Sequence, residues 1–281
     1  MNDAIVSFVV EAIHHRIGVP VQAQMNAGPP STLDISPSDA HPNDAFSVRF
    51  SPGWRAAKAE FMPGRFAAPL IAQMGTAPPD SRSVLVAFAT ALENRKTRLT
   101  FRVNGCDVSP FQTEDWPDIW NRFELQARST PQVIEQDDLA QMRQLIGELV
   151  VPVFGMVAAL IGVEEPDVPV EEATEGTPYQ TLVTRFERKK VNREACIQLK
   201  GLFCAACGFD FTAFYGPLGS GYVEVHHTTP VSQLGPEYRI NVAADLEPLC
   251  ANCHAMVHRQ NPPLPVHQLA DLVAGRRRTG G

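Results

Sequence analysis

The sequence has no apolar run that approaches the roughly 20 residues needed to span a bilayer. Acidic and histidine residues interrupt the apolar pattern of its first segment, MNDAIVSFVVEAIHHR, which is unlike a signal peptide. It is also short of cysteine for a disulfide-braced protein, with six in 281 residues. We therefore expect a soluble, cytoplasmic protein without a membrane partner, whose clustered cysteines bind metal instead of forming bridges.

Positive charge is scarce overall, since the net charge is −7, but it is unevenly distributed. Residues 1–176 carry 13 basic and 23 acidic side chains, whereas residues 177–281 carry 11 basic and 8 acidic ones. These balances of −10 and +3 predict that a polyanion binds the C-terminal part of the chain. The candidate DNA-binding residues lie mainly on a predicted amphipathic helix: Arg185, Arg188, Lys189, Lys190 and Arg193, with Arg259 further along the chain.

The length of the chain predicts two domains, because it exceeds that of most single hydrophobic cores. The acidic, proline-containing stretch EEPDVPVEEATEGTP (164–178) indicates a solvated linker between residues 1–163 and 179–281. A strand-like acidic segment that shields a nuclease site has a similar composition, but the composition favours the linker. The predicted fold class is α+β.

Residues 1–163 are predicted to form an α+β domain of unknown type. Apolar residues from Ile5 to Ile13 have helical spacing, and the segments AFSVRF and TRLTFRV alternate as half-buried strands do. The segment VLVAFATAL fits either a strand or a helix. The apolar stretch from Met142 to Ile161 predicts a core helix, or a helix that pairs two copies in a homodimer, with an interruption at Pro152.

Two CxxC motifs separated by 42 residues dominate the C-terminal part. Each motif presents two thiolates from one tight turn, so the pair completes a tetrahedral zinc site without an open position, which is a structural site. Four unligated thiols are the alternative, and the spacing disfavours it. The predicted zinc ligands are Cys204, Cys207, Cys250 and Cys253.

Four histidines in the same region predict a second, different metal site. His254 and His258 project from one face if the second CxxC motif opens a helix, and they can then share an ion. In YVEVHH, strand alternation sends His226 and His227 to opposite faces, so one can bind metal while the other acts as a general base. The other histidines are interpreted as surface or core residues: His14, His15, His41 and His267.

The succession of CAAC, EVHH and DLEPLCANCHAMVH over residues 204–258 resembles the ββα-metal core of the HNH endonucleases. The cysteine motifs resemble those of a zinc-braced subgroup that includes many restriction and phage-defence enzymes. The resemblance implies that His227 is the general base. It also implies three ligands of a catalytic divalent ion: His226, His254 and His258.

One position departs from the family pattern, because Asp245 stands nine residues before His254, where the family has asparagine. An ionised aspartate accepts hydrogen bonds but donates none. Either Asp245 or Asn241 therefore takes the role of orienting His227, and the spacing favours Asp245.

The resemblance implies hydrolysis of double-stranded DNA to 5′-phosphate and 3′-hydroxyl ends. Three imidazole ligands favour Mn²⁺, Ni²⁺, Co²⁺ or Zn²⁺ at least as well as Mg²⁺. By analogy with modification-dependent restriction enzymes, residues 1–163 are predicted to select modified or foreign DNA, with Arg49 and Arg55 on phosphate. The base-reading candidates are Trp54, Trp116 and Trp120.

Three alternatives remain at this point. The tryptophans are equally well interpreted as core residues. In the second alternative, the first domain regulates the nuclease by binding an effector or a protein. In the third, the C-terminal part is a zinc-containing DNA-binding module without catalysis.

Overall fold

The computed structural model describes residues 2–38, 40, 43–162, 188–228, 240–260 and 262–279. The predicted linker, together with Arg185 and His41, lies outside these residues. The chain divides into two compact units, Met1–Glu194 and Ala195–Gly281. Both contain helices and strands, so the predicted α+β class is confirmed. The predicted domain bounds of 1–163 and 179–281 stay a prediction, because the boundary between the units falls within a described helix.

The N-terminal unit contains five α-helices and seven strands among its described residues before 163. The helices are α1 (Asp3–Ile17), α2 (Ala68–Gly75), α3 (Pro79–Asn94), α4 (Leu139–Leu145) and α5 (Val151–Ile161). The strands are β1 (Val21–Asn26), β2 (Thr32–Pro37), β3 (Phe46–Pro52), β4 (Ala57–Pro63), β5 (Arg98–Val103), β6 (Cys106–Asp107) and β7 (Phe123–Arg128).

These strands form one antiparallel sheet in the order β1-β2-β3-β4-β7-β5-β6. Strict alternation in β3 buries Phe46, Val48 and Phe50 and turns the residues between them towards the other face. The predicted strands in AFSVRF and TRLTFRV are therefore confirmed. The ambiguous segment VLVAFATAL is helical and lies within α3. Its apolar residues are buried on more than one side of this helix, which is why the segment shows no clear helical periodicity.

The apolar helix of this unit runs from Leu139 to Ile161 through a π-helical turn at Ile146–Val150. The predicted interruption at Pro152 takes the form of this π-helical turn, which ends two residues before the proline. Proline lacks an N–H group, so it cannot donate the regular helical hydrogen bond. By length and composition the helix could cross a membrane, with a mean hydropathy of 2.0, but 83% of its most apolar window is buried in the unit. Every residue of α5 is buried, which fits the predicted core helix. The homodimer stays a prediction.

Helix α6 (Arg188–Lys200) contains the boundary between the two units. The sequence predicted an amphipathic helix here, and its buried side includes three polar residues: Asn192, Glu194 and Gln198. Within the N-terminal unit, Arg16 donates a hydrogen bond to the Glu194 carboxylate. This ion pair gives a partner to a carboxylate that is only 2% exposed.

The C-terminal unit continues from α6 with helix α7 (Phe211–Tyr215), strand β8 (Glu224–His227), helix α8 (Val242–Asp245) and strand β9 (Leu246–Leu249). Helices α9 (Ala251–Val257) and α10 (Val266–Thr279) follow. Strands β8 and β9 pair in antiparallel register, and α9 follows β9 directly. This is the predicted ββα order. Its small core includes cysteines as well as apolar side chains, among them Leu249, Val257 and Leu269.

We predict that Gly155→Ala destabilises the N-terminal unit by about 1–3 kcal/mol, because overpacking a filled core forces displacements. A methyl group at this position would lie 2.4 Å from Cζ of Phe88, which is fully buried. Urea unfolding followed by tryptophan fluorescence measures this unit, since all three tryptophans lie in it. The control is Gly28→Ala, where the nearest atom is 3.8 Å away. Equal midpoints for the two variants would contradict the packing assigned to α3 and α5.

Candidate metal centres

The four motif cysteines come together because the first motif bonds to the strand that leads into the second. The backbone N–H of Ala205 donates to the carbonyl oxygen of Pro248, at 2.8 Å. Two further bonds close the first motif into a tight turn, from Cys204 N to Phe209 O and from Gly208 N to Cys204 O. The second motif begins α9, with Cys250 as its N-cap residue.

The four sulfur atoms lie within 4.8 Å of one another. The separation between Sγ of Cys207 and Sγ of Cys250 is 3.7 Å, close to the ~3.8 Å edge of a tetrahedron with Zn–S distances of about 2.3 Å. Three of the cysteines are buried and Cys207 is half-buried. Four cysteines at this spacing can hold a metal ion such as zinc, in a closed set of the type that structural sites use.

The thiols of this cluster differ in acidity according to their surroundings. Burial raises the pKa of Cys253, and so do the neighbouring thiols of Cys250, Cys207 and Cys204. Burial also acts to raise the pKa of Cys204, but backbone N–H groups directed at its sulfur outweigh burial and lower it. Four thiolates this close together repel one another, so their joint ionisation requires a cation among them.

Three histidines form a second cluster beside the first. His226 lies on β8, His254 on α9, and His258 immediately after α9. Their ligand nitrogens lie within 4.8 Å of one another, and their ring centroids are 5.0–5.2 Å apart. Exposure increases from buried His226 through half-buried His254 to exposed His258. Imidazole suits borderline transition metals, and the exposed side leaves coordination positions for oxygen ligands, so the donor set fits a catalytic ion.

Burial, reinforced by the neighbouring imidazoles, lowers the pKa of His226 from 6.5 to about 4. His226 is therefore neutral at physiological pH and retains a lone pair for a metal. Sequence reasoning missed the residue that orients His254. The carboxylate of Glu224 contacts Nδ1 of His254 at 2.5 Å, and the hydroxyl of Tyr222 donates to the other oxygen of Glu224 at 3.2 Å.

A carboxylate that accepts from Nδ1 fixes the tautomer in which Nε2 is free to bind metal. A signal was present in the sequence, because Glu224 precedes His226 by two positions and so shares its face of the strand.

His227 is half-buried and follows His226 on β8, on the opposite face of the strand. The turn ahead of β9 holds both candidates for the asparagine position. The amide oxygen of Asn241 accepts from the N–H groups of Ala243 and Ala244 and caps α8. The carboxylate of Asp245 accepts from the backbone N–H of Asn241 at 2.7 Å, and the carbonyl oxygen of Asp245 accepts from Thr228 N. These bonds hold the turn against the residue that follows His227, and the choice between Asn241 and Asp245 stays open.

The structure does not gather all the predicted basic residues at one place. Arg188 and Lys189 begin α6, followed by half-buried Lys190 and Arg193, and all four belong to the N-terminal unit. Arg259 is exposed and follows His258 in the C-terminal unit. Among the candidate DNA-binding residues that the structure describes, Arg259 is the one next to the histidine cluster in sequence.

Two of the three tryptophans predicted to read bases are core residues. Trp116 and Trp120 are 6% and 1% exposed, and their rings pack against Phe101 at 5.3 and 6.2 Å. A ring with no exposed face cannot stack on a base, so this prediction is corrected for both. Trp54 is 71% exposed, with the guanidinium of Arg55 over its ring.

Arg49, predicted to contact phosphate, is engaged within the sheet. It donates two hydrogen bonds to Asp34, of 2.7 and 2.8 Å. This interaction is the main reason that the pKa of Arg49 is raised. Its charge is therefore already paired.

We predict that Cys253→Ala removes one bound zinc and unfolds the C-terminal unit, because the remaining thiols cannot close a tetrahedral site. Elemental analysis gives the metal content, and limited proteolysis reports on the unit. The matched control is Cys106→Ala, which replaces an exposed cysteine outside the cluster. Full zinc content in the Cys253→Ala protein would contradict the assignment.

We also predict that Glu224→Ala weakens metal binding at the histidine cluster by about 10- to 100-fold, the usual cost of losing a residue that orients a histidine ligand. Calorimetric titration with Mn²⁺ measures the affinity. Glu247→Ala is the control, because Glu247 lies on the paired strand and bonds to Lys200 instead of to a histidine. Equal affinities in the two variants would show that Glu224 does not orient His254.

Comparison with known proteins agrees with this geometry in one region. Residues 204–260 match the family model described as HNH endonuclease, and they include all seven residues of the two clusters. No curated protein matches the chain. The C-terminal part of this chain therefore contains a domain of the HNH endonuclease family, at residues 204–260.

Proposed function

We propose that this protein is a metal-dependent endonuclease that hydrolyses phosphodiester bonds of double-stranded DNA. The convergence of His226, His254 and His258 within 4.8 Å, next to His227, is the observation that carries the proposal. In this proposal a cation site lies beside an imidazole on the opposite face of the same strand. The match to the HNH family supports the same reaction class.

In this proposal the three clustered histidines share one task and His227 has another. The ligand nitrogens of His226, His254 and His258 hold the ion, and Glu224 keeps His254 in the binding tautomer. The bound divalent ion supplies positive charge near the phosphate and the leaving 3′ oxygen, where negative charge increases during the reaction.

His227 takes a proton from the attacking water, and its neutral form is the active one. The turn formed by Asn241 and Asp245 fixes the backbone after His227, through the bond from Thr228 N to Asp245 O. The products are a 5′-phosphate and a 3′-hydroxyl.

Contact with the DNA backbone is assigned to Arg259. Its exposed guanidinium follows His258 by one residue, and an arginine there supplies a phosphate contact near the ion. The surplus of basic residues in 177–281 supports binding of a polyanion by this part of the chain.

We also propose that the nuclease acts in restriction or defence, with the N-terminal unit selecting the DNA that is cut. Of the three tryptophans considered as base readers, Trp54 retains an exposed ring, so any base stacking by the N-terminal unit is assigned to it. Regulation of the nuclease by an effector or partner that binds this unit is the competing proposal. Cleavage of matched unmodified, 5-methylated, 5-hydroxymethylated and glucosylated DNA distinguishes selection of modified bases from regulation.

The function is tested by nicking of a supercoiled plasmid in Mn²⁺, Co²⁺, Ni²⁺ or Mg²⁺. We expect His227→Ala to lower the rate by about 10²- to 10⁴-fold, the usual contribution of a general base. DNA affinity, measured by fluorescence anisotropy, and metal content should stay unchanged. The control is His15→Ala, which replaces an exposed histidine of α1.

Equal nicking by the His227→Ala protein would overturn the assignment of the base. Binding of DNA without nicking by the unmodified protein in any of the metals would favour a zinc-containing DNA-binding module. Strict dependence on Mg²⁺ would contradict a ligand set of three imidazoles, since Mg²⁺ prefers oxygen ligands.

A further inference from the structure

A surface loop beside the histidine cluster exposes an unusual number of large apolar side chains. This aromatic loop, residues 209–222, consists of α7, the 3₁₀ turn Gly216–Gly219 and the residues that lead into β8. Leu218 is 88% exposed at the turn. Three rings around it are also exposed: Phe214 by 69%, Tyr215 by 51% and Tyr222 by 46%. Scattered apolar residues need no explanation on a protein surface, but a contiguous group marks an interaction site.

The exposure of these side chains is imposed by a rigid backbone. The side chain of Asp210 accepts from Thr212 N and Ala213 N, at 2.7 and 3.0 Å, and begins α7. A Cβ atom at Gly219 would lie 2.1 Å from the carbonyl oxygen of Phe211, so only glycine permits this close approach. Leu218 therefore lies on a turn that is packed tightly against α7, and this turn holds the leucine at the surface.

The rings pack on one another beneath the exposed surface. Phe209 contacts both Phe211 and Phe214, with centroid separations of 4.9 and 5.3 Å. Tyr215 packs against Phe214 at 4.7 Å. These contacts hold the outer rings in place without burying them, which is the arrangement of a preformed binding surface.

The aromatic loop is connected to the proposed cleavage site by direct contacts. The ring of Phe211 lies 4.7 Å from that of Tyr222, and the Tyr222 hydroxyl donates to Glu224. The same carboxylate contacts His254. A ligand that lies on these rings is therefore close to the metal-binding histidines.

The chemistry of the aromatic loop favours bases over phosphates as its ligand. Asp210 is the single charged residue among residues 209–222, and its carboxylate is occupied by backbone N–H groups. Such a surface offers no positive charge to a phosphate backbone, whereas its rings can stack on the flat, apolar faces of bases. Proteins that bend DNA commonly insert a leucine or another apolar wedge between neighbouring base pairs, from the minor groove.

We propose that the aromatic loop binds the bases of duplex DNA beside the cleaved phosphate, with Leu218 inserted into a base step and Phe214 and Tyr215 against the sugars and bases that flank it. This inference rests on the proposed nuclease function and assigns the base contacts of that site. Insertion opens the step, bends the duplex and presents the adjacent phosphate to the three histidines.

Two substrates separate base contacts from the chemical step. Bis(4-nitrophenyl) phosphate is a phosphodiester without bases, whereas a short duplex with one 2-aminopurine reports unstacking by an increase in fluorescence. With the full-length protein, we expect Leu218→Ala to lower kcat/KM on the duplex about tenfold or more, because the shortened side chain no longer fills the opened base step. Hydrolysis of bis(4-nitrophenyl) phosphate should stay within about twofold, because the wedge contacts no atom of the reaction centre.

Unstacking is measured in the uncleaving His227→Ala protein, so that the DNA stays intact. The 2-aminopurine fluorescence should rise when this protein binds the duplex. The rise should be absent in the double variant His227→Ala/Leu218→Ala and present in the double variant His227→Ala/Leu218→Phe. Leu272→Ala is the matched control, because it removes a leucine that is 60% exposed on α10 of the same unit. It should change neither the signal nor either rate.

Unchanged duplex cleavage and unchanged fluorescence in Leu218→Ala would overturn the proposal, and would leave the loop as a surface for a protein. Equal loss on both substrates would also overturn it, because Leu218 would then support the architecture of the site. If the unmodified protein hydrolyses neither substrate, the nuclease function fails, yet the fluorescence measurement still decides whether the loop unstacks bases.

Discussion

The pairing of β8 with β9 is the constraint on which both metal centres depend. In this register His226 lies opposite Glu247, and Glu224 lies opposite Leu249, the residue before Cys250. The first strand supplies the histidine end of the site, and the second leads without a loop into the helix that carries His254 and Cys253. A slip of one residue would turn His226 away from α9 and bring His227 towards it, so that His226 would leave the histidine cluster.

The cysteine cluster explains how so small an assembly holds its shape. Strands of four residues and a helix of seven are marginal in isolation, because hairpins and helices this short do not offset their loss of conformational entropy. An ion bound by four thiolates ties the turn at Cys204 to the start of α9 and supplies folding free energy directly. His254 is bonded to the same helix start, through its N–H to the carbonyl oxygen of Cys250 at 2.9 Å. The cysteine cluster therefore positions residues of the histidine cluster.

The two centres also differ in how they meet solvent, and this difference separates their roles. The thiolates are mostly buried and complete a closed shell, whereas the histidine cluster opens outward at His258. A closed shell gives stability and no chemistry, while an open one accepts water and a phosphate oxygen. The aromatic loop adjoins the open centre through Tyr222 and Glu224, so the exposed rings and the exposed coordination positions belong to one surface.

Much of the C-terminal site is predictable from sequence because its residues follow short, rigid spacings. Two residues between cysteines and a four-residue interval between histidines each fix a local geometry, and a doubled histidine on a strand must point both ways. The partner of His254 was not predicted, because the contact with Glu224 depends on how β8 meets α9 and not on a spacing within either element. The exposed rings of the aromatic loop were missed for a related reason, since apolar letters indicate a core unless the fold turns them outward.

In the N-terminal unit the outcome was mixed. Strands with strict alternation were predictable, but Trp116 and Trp120 are indistinguishable by sequence from surface tryptophans until the sheet and its helices enclose them. The ion pair of the buried Glu194 of α6 was likewise not predicted, because its partner Arg16 lies far away in the sequence. Long-range pairing of charges leaves no local pattern.

The four clustered cysteines and the three clustered histidines form two groups that could each hold an ion. Titration of the metal-free, reduced full-length protein with Co²⁺, followed by absorption spectroscopy, tests most directly whether they bind two separate ions. We expect an intense sulfur-to-cobalt charge-transfer band that saturates at one equivalent. A second equivalent should then bind with only weak bands and be lost in a His254→Ala/His258→Ala protein. Saturation of all binding at one equivalent, or a sulfur band that continues to grow through the second, would contradict the separation of the two centres.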